Sequence, residues 1–371
     1  MVILLVYVYF GYPLILMVIA RRGSYTHYDD NYLPSVSLVI AAYNEEKVIR
    51  EKLENSINLD YPREKMEIVV ASDGSTDDTN AIVQSFSSKG VTLYPVIPRG
   101  GKTRALNLVV PRTNGDILVL SDANTMYQPD SIRKLVRNFA DPSVGAVSGD
   151  VKLVDAADSY AESESLYYRY ERWLQRLESC RGSIIGADGA MYAVARSCFR
   201  PPSDTIILDD FVISMNVARL GYRVVYEPLA VGVEEGTQSG KEEFRRKVRI
   251  VAGGMQALKL GEGLPRICQS GLLFCYTSHK LLRWFVPFFL LLIFCSALLL
   301  VEDPFYRFVL WAQLGLYCSA AVYAVLSVSR WQAPRLTGVP FYFCLVNGAA
   351  FLGVLKGLLR PQTGIWQRTR R

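Results

Sequence analysis

This chain has little histidine and no regularly spaced cysteine. Only two histidines occur among its 371 residues, His27 in a polar linker and His279 just before an apolar run, and we assign no catalytic role to either. The seven cysteines show none of the paired spacings of a metal site, so they are predicted to be reduced and structural. Internal repeats and low-complexity tracts are also absent. These absences exclude a zinc module, a disulfide-stapled scaffold and a repeat protein.

Charged residues are missing from four long segments. Met1 to Ala20 carries none, and three more uncharged segments follow near the end of the chain. Each approaches the about 17 to 25 residues that a helix needs to cross a bilayer. Because Arg21 and Arg22 follow the first segment rather than precede it, a membrane helix is favoured there over a cleaved signal peptide. The sequence therefore predicts one N-terminal transmembrane helix, residues 1–20, and about three within residues 285–359, namely Phe285 to Val301, Phe308 to Ser329 and Leu336 to Leu355.

The charges beside these segments predict how the chain is oriented. Arg21 and Arg22 favour a cytosolic position for the polar region that follows them. Three further crossings would then place the tail, residues 360–371, outside, although this tail is basic. Two interpretations stay open: one late segment is re-entrant or interfacial, or the basic tail is exported. We predict a multi-pass protein of the cell (inner) membrane with a cytosolic polar domain.

The composition is typical of one soluble domain joined to a membrane part. Hydrophobic residues make up 50% of the chain, and the mean hydropathy is +0.16. The net charge of +6 comes from basic residues near the membrane boundaries rather than from a basic face interleaved with aromatic residues. Membrane lipids are therefore a predicted partner and nucleic acid is not. Residues 34–235 form the predicted soluble domain, and residues 241–284 form predicted amphipathic, interfacial helices.

The soluble domain alternates short β-rich runs with helix-like stretches. This alternation is typical of an α/β protein whose mostly parallel sheet is covered by helices. The predicted strands are Val36 to Ile40, Glu67 to Ala71, Val91 to Val96, Ile117 to Leu120 and Gly145 to Ser148, and the predicted helices between them lie near residues 45–58, 77–87, 102–110 and 129–140.

Polar motifs follow three of these strands directly. The first strand ends in a segment that carries Tyr43 and Glu45, the second ends in Ser72-Asp73-Gly74, and the fourth ends in Asp122-Ala123-Asn124. Ligands of such sheets bind beyond the carboxyl ends of the strands. One crevice is therefore predicted to hold all three motifs.

The ordered motifs resemble those of the family-two inverting glycosyltransferases, and within them the membrane synthases of hyaluronan, cellulose, chitin and poly-N-acetylglucosamine. The resemblance implies a GT-A type, Rossmann-like fold with added transmembrane helices. It also implies a UDP-sugar donor, UDP-N-acetylglucosamine in particular, a glycan acceptor, and Mg²⁺ or Mn²⁺ as cofactor. The motifs that carry it are Val36 to Glu46, Asp73 to Asp77, Gly101 to Asn107 and the acidic segments downstream.

The resemblance assigns the donor site to the first motifs. Tyr43 would lie against a flat base, and the Asp73 carboxylate would accept the imide hydrogen of uracil; Ala41 and Glu45 belong to the same site. Lys102 follows two glycines and would approach the diphosphate. The alternatives are a strand-end turn in which Asp73 caps the next helix, and a plain surface turn at the Gly-Gly-Lys sequence.

Asp122-Ala123-Asn124 occupies the place of the family's metal motif, in which two aspartates usually flank one residue. Here the second acid is an asparagine. Hard divalent cations take oxygen ligands, so Asp122 and the Asn124 carbonyl are the predicted metal ligands. The cation would stabilise the charge that develops on the departing nucleoside diphosphate.

The downstream acids are assigned to the acceptor side. Asp209-Asp210 lies where related synthases carry an acidic pair, so Asp210 is the predicted general base and Asp209 a predicted acceptor-side residue. Asp188, in Gly186-Ala187-Asp188-Gly189, would bond a sugar hydroxyl. The alternatives are a helix amino-terminal cap for the pair and a tight turn before a strand for Asp188.

The basic run near residue 245 departs from the polymerising members. Those members carry glutamine, two intervening residues, then arginine and tryptophan, and the resemblance implies that this tryptophan stacks beneath the acceptor sugar. Here Arg249 matches as a donor-side residue, whereas Arg246 stands at the glutamine position and Ile250 at the tryptophan position. A helix from Lys241 to Leu260 on the membrane surface is also consistent with the run. Addition of one sugar to a lipid carrier or lipid acceptor therefore stays open beside polymerisation, as does a catalytically silent, sugar-nucleotide-binding export component.

One aromatic segment receives no assigned site. Residues 160–178 are rich in tyrosine and glutamate, with Tyr167, Tyr168, Tyr170 and Trp173 in a predicted helix. Aromatic faces suit sugar rings, but packing on the sheet or on a membrane helix explains them equally well.

Overall fold

A computed structural model describes residues 1–21, 23, 26–154, 159–236, 239–328 and 335–365. The predicted helix-covered sheet is confirmed as one eight-stranded sheet, in the order β3-β2-β1-β4-β7-β6-β8-β5. The strands β3, β2, β1 and β4 run parallel, and β7 is antiparallel to both β4 and β6. The strands are β1 Val36–Ala42, β2 Met66–Asp73, β3 Val91–Val96, β4 Ile117–Asp122, β5 Met126–Tyr127, β6 Val144–Val154, β7 Met191–Ala195 and β8 Arg223–Glu235.

Helices cover both faces of this sheet and continue into the apolar segments. Two π-helical turns, Tyr7–Gly11 and Tyr276–Leu281, join α1 to α2 and α10 to α11. The helices are α1 Val2–Val6, α2 Tyr12–Ala20, α3 Ile49–Ile57, α4 Thr79–Gln84, α5 Lys102–Val109, α6 Ser131–Val136, α7 Ser159–Arg181, α8 Asp209–Arg219, α9 Gly240–Leu260, α10 Ser270–Cys275, α11 Leu282–Leu299, α12 Pro304–Val328 and α13 Arg335–Leu359.

Alternation along the strands builds the two apolar layers. In β1, Leu38 and Ile40 point to one face and pack with α3, α4 and α6, while Val39 points to the other face and packs with α5 and α8. Such alternation follows from the two-residue period of a strand. All three side chains are fully buried. This sandwich fixes the carboxyl ends of β1, β2 and β4, since Ala41 pairs with both Ala71 and Asp122.

The four uncharged segments are helical. Among the described residues, the helices long and apolar enough to span a membrane are Val2–Ala20, Ser270–Leu299, Pro304–Ser327 and Thr337–Leu359, with hydropathies of 2.5, 2.2, 1.6 and 1.7. This confirms the predicted segments as helices of membrane-like composition. Half of the basic tail, residues 366–371, lies outside the described residues, which end at residue 365.

The last of these helices lies along α9. The Tyr342 hydroxyl donates to Glu243 near one end (3.3 Å), and Lys259 donates to the carbonyl of Leu358 near the other (3.1 Å). Gly357 makes this approach possible, because a Cβ there would lie 2.4 Å from that of Met255. Thus α13 runs parallel to α9, and its C-terminal end reaches the α/β domain.

Charged contacts join α7 to the membrane helices. His279 is buried between two glutamates of α7, with Nδ1 at 2.6 Å from Glu178 and Nε2 at 3.1 Å from Glu171. The Tyr12 hydroxyl also donates to Glu178 (2.6 Å), and Arg283 pairs with Glu171. His279 therefore holds helices together, well away from the motifs that follow the strands.

Candidate active site

One crevice at the carboxyl ends of β1, β2 and β4 brings together every candidate residue of the sequence analysis. It encloses about 840 Å³. Its walls also include residues from α7, the end of β8, α9 and the segment after α13. The candidate residues that line it are Ala41, Tyr43, Glu45, Asp73, Lys102, Asp122, Asn124, Asp188, Asp209, Asp210 and Arg249.

Asp73 holds the glycine turn that precedes Lys102. Its two carboxylate oxygens accept hydrogen bonds from the backbone N–H groups of Gly100 and Gly101, each at 2.8 Å. Gly101 has a φ of +97°, which favours glycine. The alternative that Asp73 caps the next helix is wrong, because α4 follows Asp78 and has no side-chain cap.

Arg99 covers the ring that was predicted to receive the base. Its guanidinium carbon lies 3.4 Å from the centre of the Tyr43 ring, and its Nε lies 3.8 Å from Asp73. Gly74 leaves room for this arrangement, since a Cβ there would come within 2.8 Å of the Arg99 Cβ. Sequence reasoning missed Arg99, although its position directly before Gly-Gly-Lys was a usable signal.

Lys102 lies among the carboxylates of the crevice. Its ammonium donates to Asp122 (2.7 Å) and to the Gly189 carbonyl (3.2 Å), and it lies 3.6 Å from Asp209. Burial opposes the charge, but Asp122 and Asp209 raise the pKa of Lys102 above its ordinary value. A permanent cation is therefore fixed at the N-terminal end of α5.

Asp209 and Asp210 begin α8 at the floor of the crevice. Asp209 is only 4% exposed. Burial, reinforced by the charge of Asp209, raises the pKa of Asp210 to about 7. The pair lies in the first turn of α8, where a helix dipole favours acids, but no side chain caps this helix. Asp210 can therefore gain and lose a proton near neutral pH.

The predicted metal motif has one exposed carboxylate. The Asp122 side chain is 37% exposed and opens into the crevice. The Asn124 side chain interacts with Glu234 of β8, although its buried Nδ2 forms no hydrogen bond of standard geometry. Among the described residues, no group of three or more histidine, cysteine or acidic side chains has the arrangement of a metal site. Two oxygen ligands remain a fitting set for a cation that takes its other ligands from a diphosphate.

A buried lysine supports the loop that carries this motif. Lys52 is fully buried, and its ammonium donates to the Thr125 carbonyl (2.5 Å) and lies 3.9 Å from the centre of the Tyr127 ring. Burial lowers the pKa of Lys52 to about 7. Asn55, on the same helix, exchanges two hydrogen bonds with the backbone of Tyr127. These contacts show that α3 holds the loop between β4 and β5 in place.

Asp188 is tied to α7. Its carboxylate accepts a hydrogen bond from Arg172 (2.7 Å) and another from the backbone of Ala190 (3.2 Å). Although burial opposes ionisation, Arg172 lowers the pKa of Asp188. Gly186 has a φ of +88°, so the segment is a tight turn before β7, as one of the two alternatives expected. A role in bonding a sugar hydroxyl stays a prediction.

The segment after the last helix forms a wall that sequence reasoning missed. Residues 361–365 line the crevice, and Gln256 of α9 donates to the Gln362 carbonyl (3.3 Å). Gly364 packs closely on Gly101, since a Cβ atom added to Gly101 would lie 2.4 Å from the carbonyl oxygen of Gly364. No motif in the sequence marks this contact.

Fold and site together define a glycosyltransferase of the GT-A type. The model of glycosyl transferase family 2 matches residues 37–196, and that of glycosyl transferase family group 2 matches residues 117–328. The second match spans more than half of the chain. The chain therefore belongs to the family-two glycosyltransferases, as its motifs predicted.

Two curated relatives each match about three fifths of the chain. The probable glycosyltransferase YdaM of Bacillus subtilis is 30% identical over 234 residues, which is 60% of this chain and 55% of that protein. The poly-beta-1,6-N-acetyl-D-glucosamine synthase of Staphylococcus aureus is 26% identical over 232 residues, or 61% of this chain and 56% of that protein. The chain thus matches little more than half the length of these relatives.

A solved structure matches the fold over nearly the whole length. The mannosyltransferase PcManGT from Pyrobaculum calidifontis, in complex with GDP-Man and Mn²⁺, superposes with a TM-score of 0.69 at 24% identity, covering 96% of this chain and 97% of that one. The membrane-like helices are therefore part of a fold that is shared with a known glycosyltransferase structure.

Proposed function

We propose that this protein is a membrane-bound inverting glycosyltransferase that takes a UDP-sugar, UDP-N-acetylglucosamine in particular, and forms a β-linked polysaccharide at the cytosolic face. The observation that carries the proposal is the position of the Asp210 carboxyl group, which lies in the same crevice as Lys102, whose ammonium donates to Asp122 (2.7 Å). A base, a cation for the diphosphate and a metal ligand are what sugar transfer from a nucleotide requires. The sugar is inferred from the poly-N-acetylglucosamine synthase relative.

The donor would enter along the turn held by Asp73. Tyr43 and Arg99 present a flat, cationic surface for a base, while Ala41 and Glu45 line the same side of the crevice. Lys102 and Arg249 would offset the charge of the diphosphate. Because Asp73 uses both oxygens to hold the glycine turn, its contribution to donor binding would be to fix this turn, and a contact with uracil would use its remaining lone pairs.

Asp122 and Asn124 would hold Mg²⁺ or Mn²⁺, which supplies charge stabilisation to the leaving diphosphate when bound. The Mn²⁺ of the similar mannosyltransferase structure supports this choice. Since this chain offers one carboxylate and one amide, the ion should bind tightly only together with the donor.

Asp210 would complete the chemistry as the general base. It removes the proton of the acceptor hydroxyl while the acceptor oxygen bonds to the anomeric carbon and the bond from that carbon to the diphosphate breaks. The proton stays on Asp210, and the electron pair leaves with the nucleoside diphosphate. Attack opposite the leaving group inverts the anomeric carbon.

A second candidate function is addition of a single sugar to a lipid carrier or lipid acceptor. It is favoured by Ile250, which lines the crevice where polymerising members carry tryptophan. A catalytically silent, sugar-nucleotide-binding export component is a third candidate, and turnover of any donor would eliminate it.

The arrangement of the helices supports a cytosolic tail. Residues 361–365 lie against the catalytic domain, so both ends of α13 would be on its side of the membrane. The helix pairs α1–α2 and α10–α11, together with α12, would then cross the bilayer, while α13 would lie along α9 at the interface. This arrangement reconciles the basic tail with the cytosolic domain and favours the interfacial interpretation of the last segment.

The deciding experiment measures nucleoside diphosphate release by the detergent-purified protein. A panel of UDP-sugars and GDP-mannose is supplied with Mn²⁺ or Mg²⁺, and products are sized by mass spectrometry. A ladder of products from one UDP-sugar supports the polymerase, and a single addition supports the second candidate.

Asp210→Asn should lower transfer by at least about 100-fold while leaving UDP binding unchanged. Transfer by this variant near the wild-type rate would refute the base assignment, and efficient use of GDP-mannose would refute the uridine donor.

A further inference from the structure

One of the two departures in α9, Arg246, contacts an aromatic side chain of α7. Arg246 and Ile250 are four residues apart, so they lie on the same helix face, and both line the crevice. Tyr168 of α7 lines the same crevice, and the Arg246 guanidinium donates a hydrogen bond to its hydroxyl. The ring of Tyr168 is thereby held beside the helix face on which a tryptophan is missing.

Arg246 is also held by an ion pair with a buried acid of its own helix. Its Nε lies 3.4 Å from the fully buried carboxylate of Glu243, which also pairs with Lys247 (3.3 Å). The Lys247 ammonium lies 5.3 Å from the centre of the Tyr168 ring, and the Tyr167 ring meets Tyr168 edge-on at 5.9 Å. Arginine suits this position, because its planar donors bond a hydroxyl while its permanent charge pairs with the buried acid. Glutamine could donate to the hydroxyl but could not neutralise Glu243.

We propose that Tyr168 is the aromatic wall of the acceptor subsite and replaces the tryptophan that this chain lacks at Ile250. The ligand it would take is a pyranose ring, the terminal sugar of the acceptor. This inference rests on the proposed function and names the part of the site that receives the acceptor. An aromatic ring offers the apolar face of a sugar a flat surface, and its polar rim leaves hydroxyls free to bond.

The other walls of the crevice fit a sugar at this place. Asp188 and Asp210 line the same crevice as Tyr168, and Arg246 also interacts electrostatically with Asp188. A sugar against Tyr168 therefore has a carboxylate for its ring hydroxyls and a base for the attacking one. Arg246, Tyr168 and Ile250 act as a set: the arginine positions the ring, and the smaller side chain leaves space beside it.

The test uses the full-length, detergent-purified protein and the tetrasaccharide of N-acetylglucosamine as acceptor probe. Three quantities are measured: the KM for the tetrasaccharide, the KM for the donor, and donor hydrolysis without acceptor. Tyr168→Ala and Tyr168→Leu should each raise the tetrasaccharide KM by about 10-fold, with donor KM and hydrolysis unchanged. Unchanged hydrolysis shows that the variants are folded.

Tyr170→Ala is the matched control, because the Tyr170 hydroxyl donates to the Tyr9 carbonyl (3.1 Å) and Tyr170 is not among the described residues that line the crevice. It should leave the tetrasaccharide KM within about 2-fold of the wild type. Ile250→Trp in the Tyr168→Ala background should restore most of the lost affinity, because it returns an aromatic ring to the family's position.

An unchanged KM in Tyr168→Ala, or equal effects of Tyr168→Ala and Tyr170→Ala, would overturn the proposal. No recovery by Ile250→Trp would overturn the claim that the two rings replace each other. If the wild type hydrolyses donor but does not transfer to the tetrasaccharide, calorimetric binding of the tetrasaccharide replaces KM, and no binding overturns a sugar as the ligand. A wild type that neither hydrolyses nor transfers any donor refutes the proposed function instead.

Discussion

At the scale of single residues, the ionisation of Asp210 depends on its neighbours. Burial raises the pKa of Asp210 to about 7, and the charge of Asp209 adds to the effect. A general base works only when ionised, so the transfer rate should fall as the pH drops through about 7 and be full above it. Asp209→Asn removes a negative charge, so the pH at which the transfer rate falls should be lower in this variant. The dependence of kcat/KM on pH in the wild type and in Asp209→Asn measures the shift. If the pH at which the rate falls is unchanged or higher in the variant, the assignment of Asp210 as the general base is contradicted.

The same raised pKa also predicts an effect on stability. A carboxyl group with a higher pKa in the folded state than in the unfolded chain makes folding less favourable as the pH rises through that range. The penalty is absent at acidic pH and is largest above pH 7. Asp210→Asn should therefore increase thermal stability above pH 7 more than it does at pH 5, which unfolding of the two proteins at both pH values would show.

Asp73 gives a prediction that separates two roles. If it mainly holds the glycine turn, Asp73→Asn should weaken binding of UDP by at least about 10-fold, because the new amide nitrogen would face a backbone N–H, and should weaken binding of uridine much less. If it mainly contacts the base, both affinities should fall together. Calorimetry with the two ligands distinguishes these outcomes. Asp78→Asn is the control, because Asp78 is exposed and its side chain caps no helix.

At the scale of elements, α7 links the catalytic domain to the membrane helices through His279. Removing one partner of a buried charged cluster typically costs about 3 to 5 kcal/mol. His279→Leu should therefore lower the stability of the detergent-purified protein by about this amount, while His27→Leu, at an exposed position, should have little effect. Thermal unfolding of both variants provides the measurement, and equal melting temperatures would show that the cluster contributes nothing.

Local patterns predicted the parallel strands as short β-rich runs, and a polar motif follows three of them, β1, β2 and β4. Strand β7 pairs antiparallel with β4, and nothing near residue 191 signals this partner, because the pairing depends on contacts made elsewhere in the fold. The two-residue strand β5 is formed only by its pairing with β8. Local sequence therefore predicted the half of the sheet whose carboxyl ends form the crevice, but not the order of the other half.

The same reasoning applies to the site. The acids and Lys102 were predicted because each belongs to a motif at the end of an element. Tyr168 and Glu234 reach the crevice from distant elements, and their roles depend on which side chains the fold places opposite them. Lys52 was missed because an apolar helix face gives no sign that the one lysine on it is fully buried.

At the scale of the whole molecule, the position of the C-terminus tests the membrane arrangement. A green fluorescent protein fused after residue 371 should be fluorescent in a bacterial host, because this reporter folds in the cytosol and the end of α13 lies on the catalytic domain. If the C-terminal tail were exported, the attached green fluorescent protein would be exported unfolded and would not become fluorescent. A dark, full-length fusion with an active alkaline phosphatase counterpart would place the tail outside and refute an interfacial α13.

The wall formed by residues 361–365 also determines when the crevice is completed during synthesis of the chain. These residues follow every membrane helix in the chain, yet they close the crevice whose other walls are made much earlier during translation. The ribosome must therefore complete α13 and the segment after it before the crevice acquires its last wall. If the crevice binds the proposed donor, a nascent chain whose α/β domain has already folded would still lack this wall, so we expect donor turnover only after residues 361–365 have been synthesised.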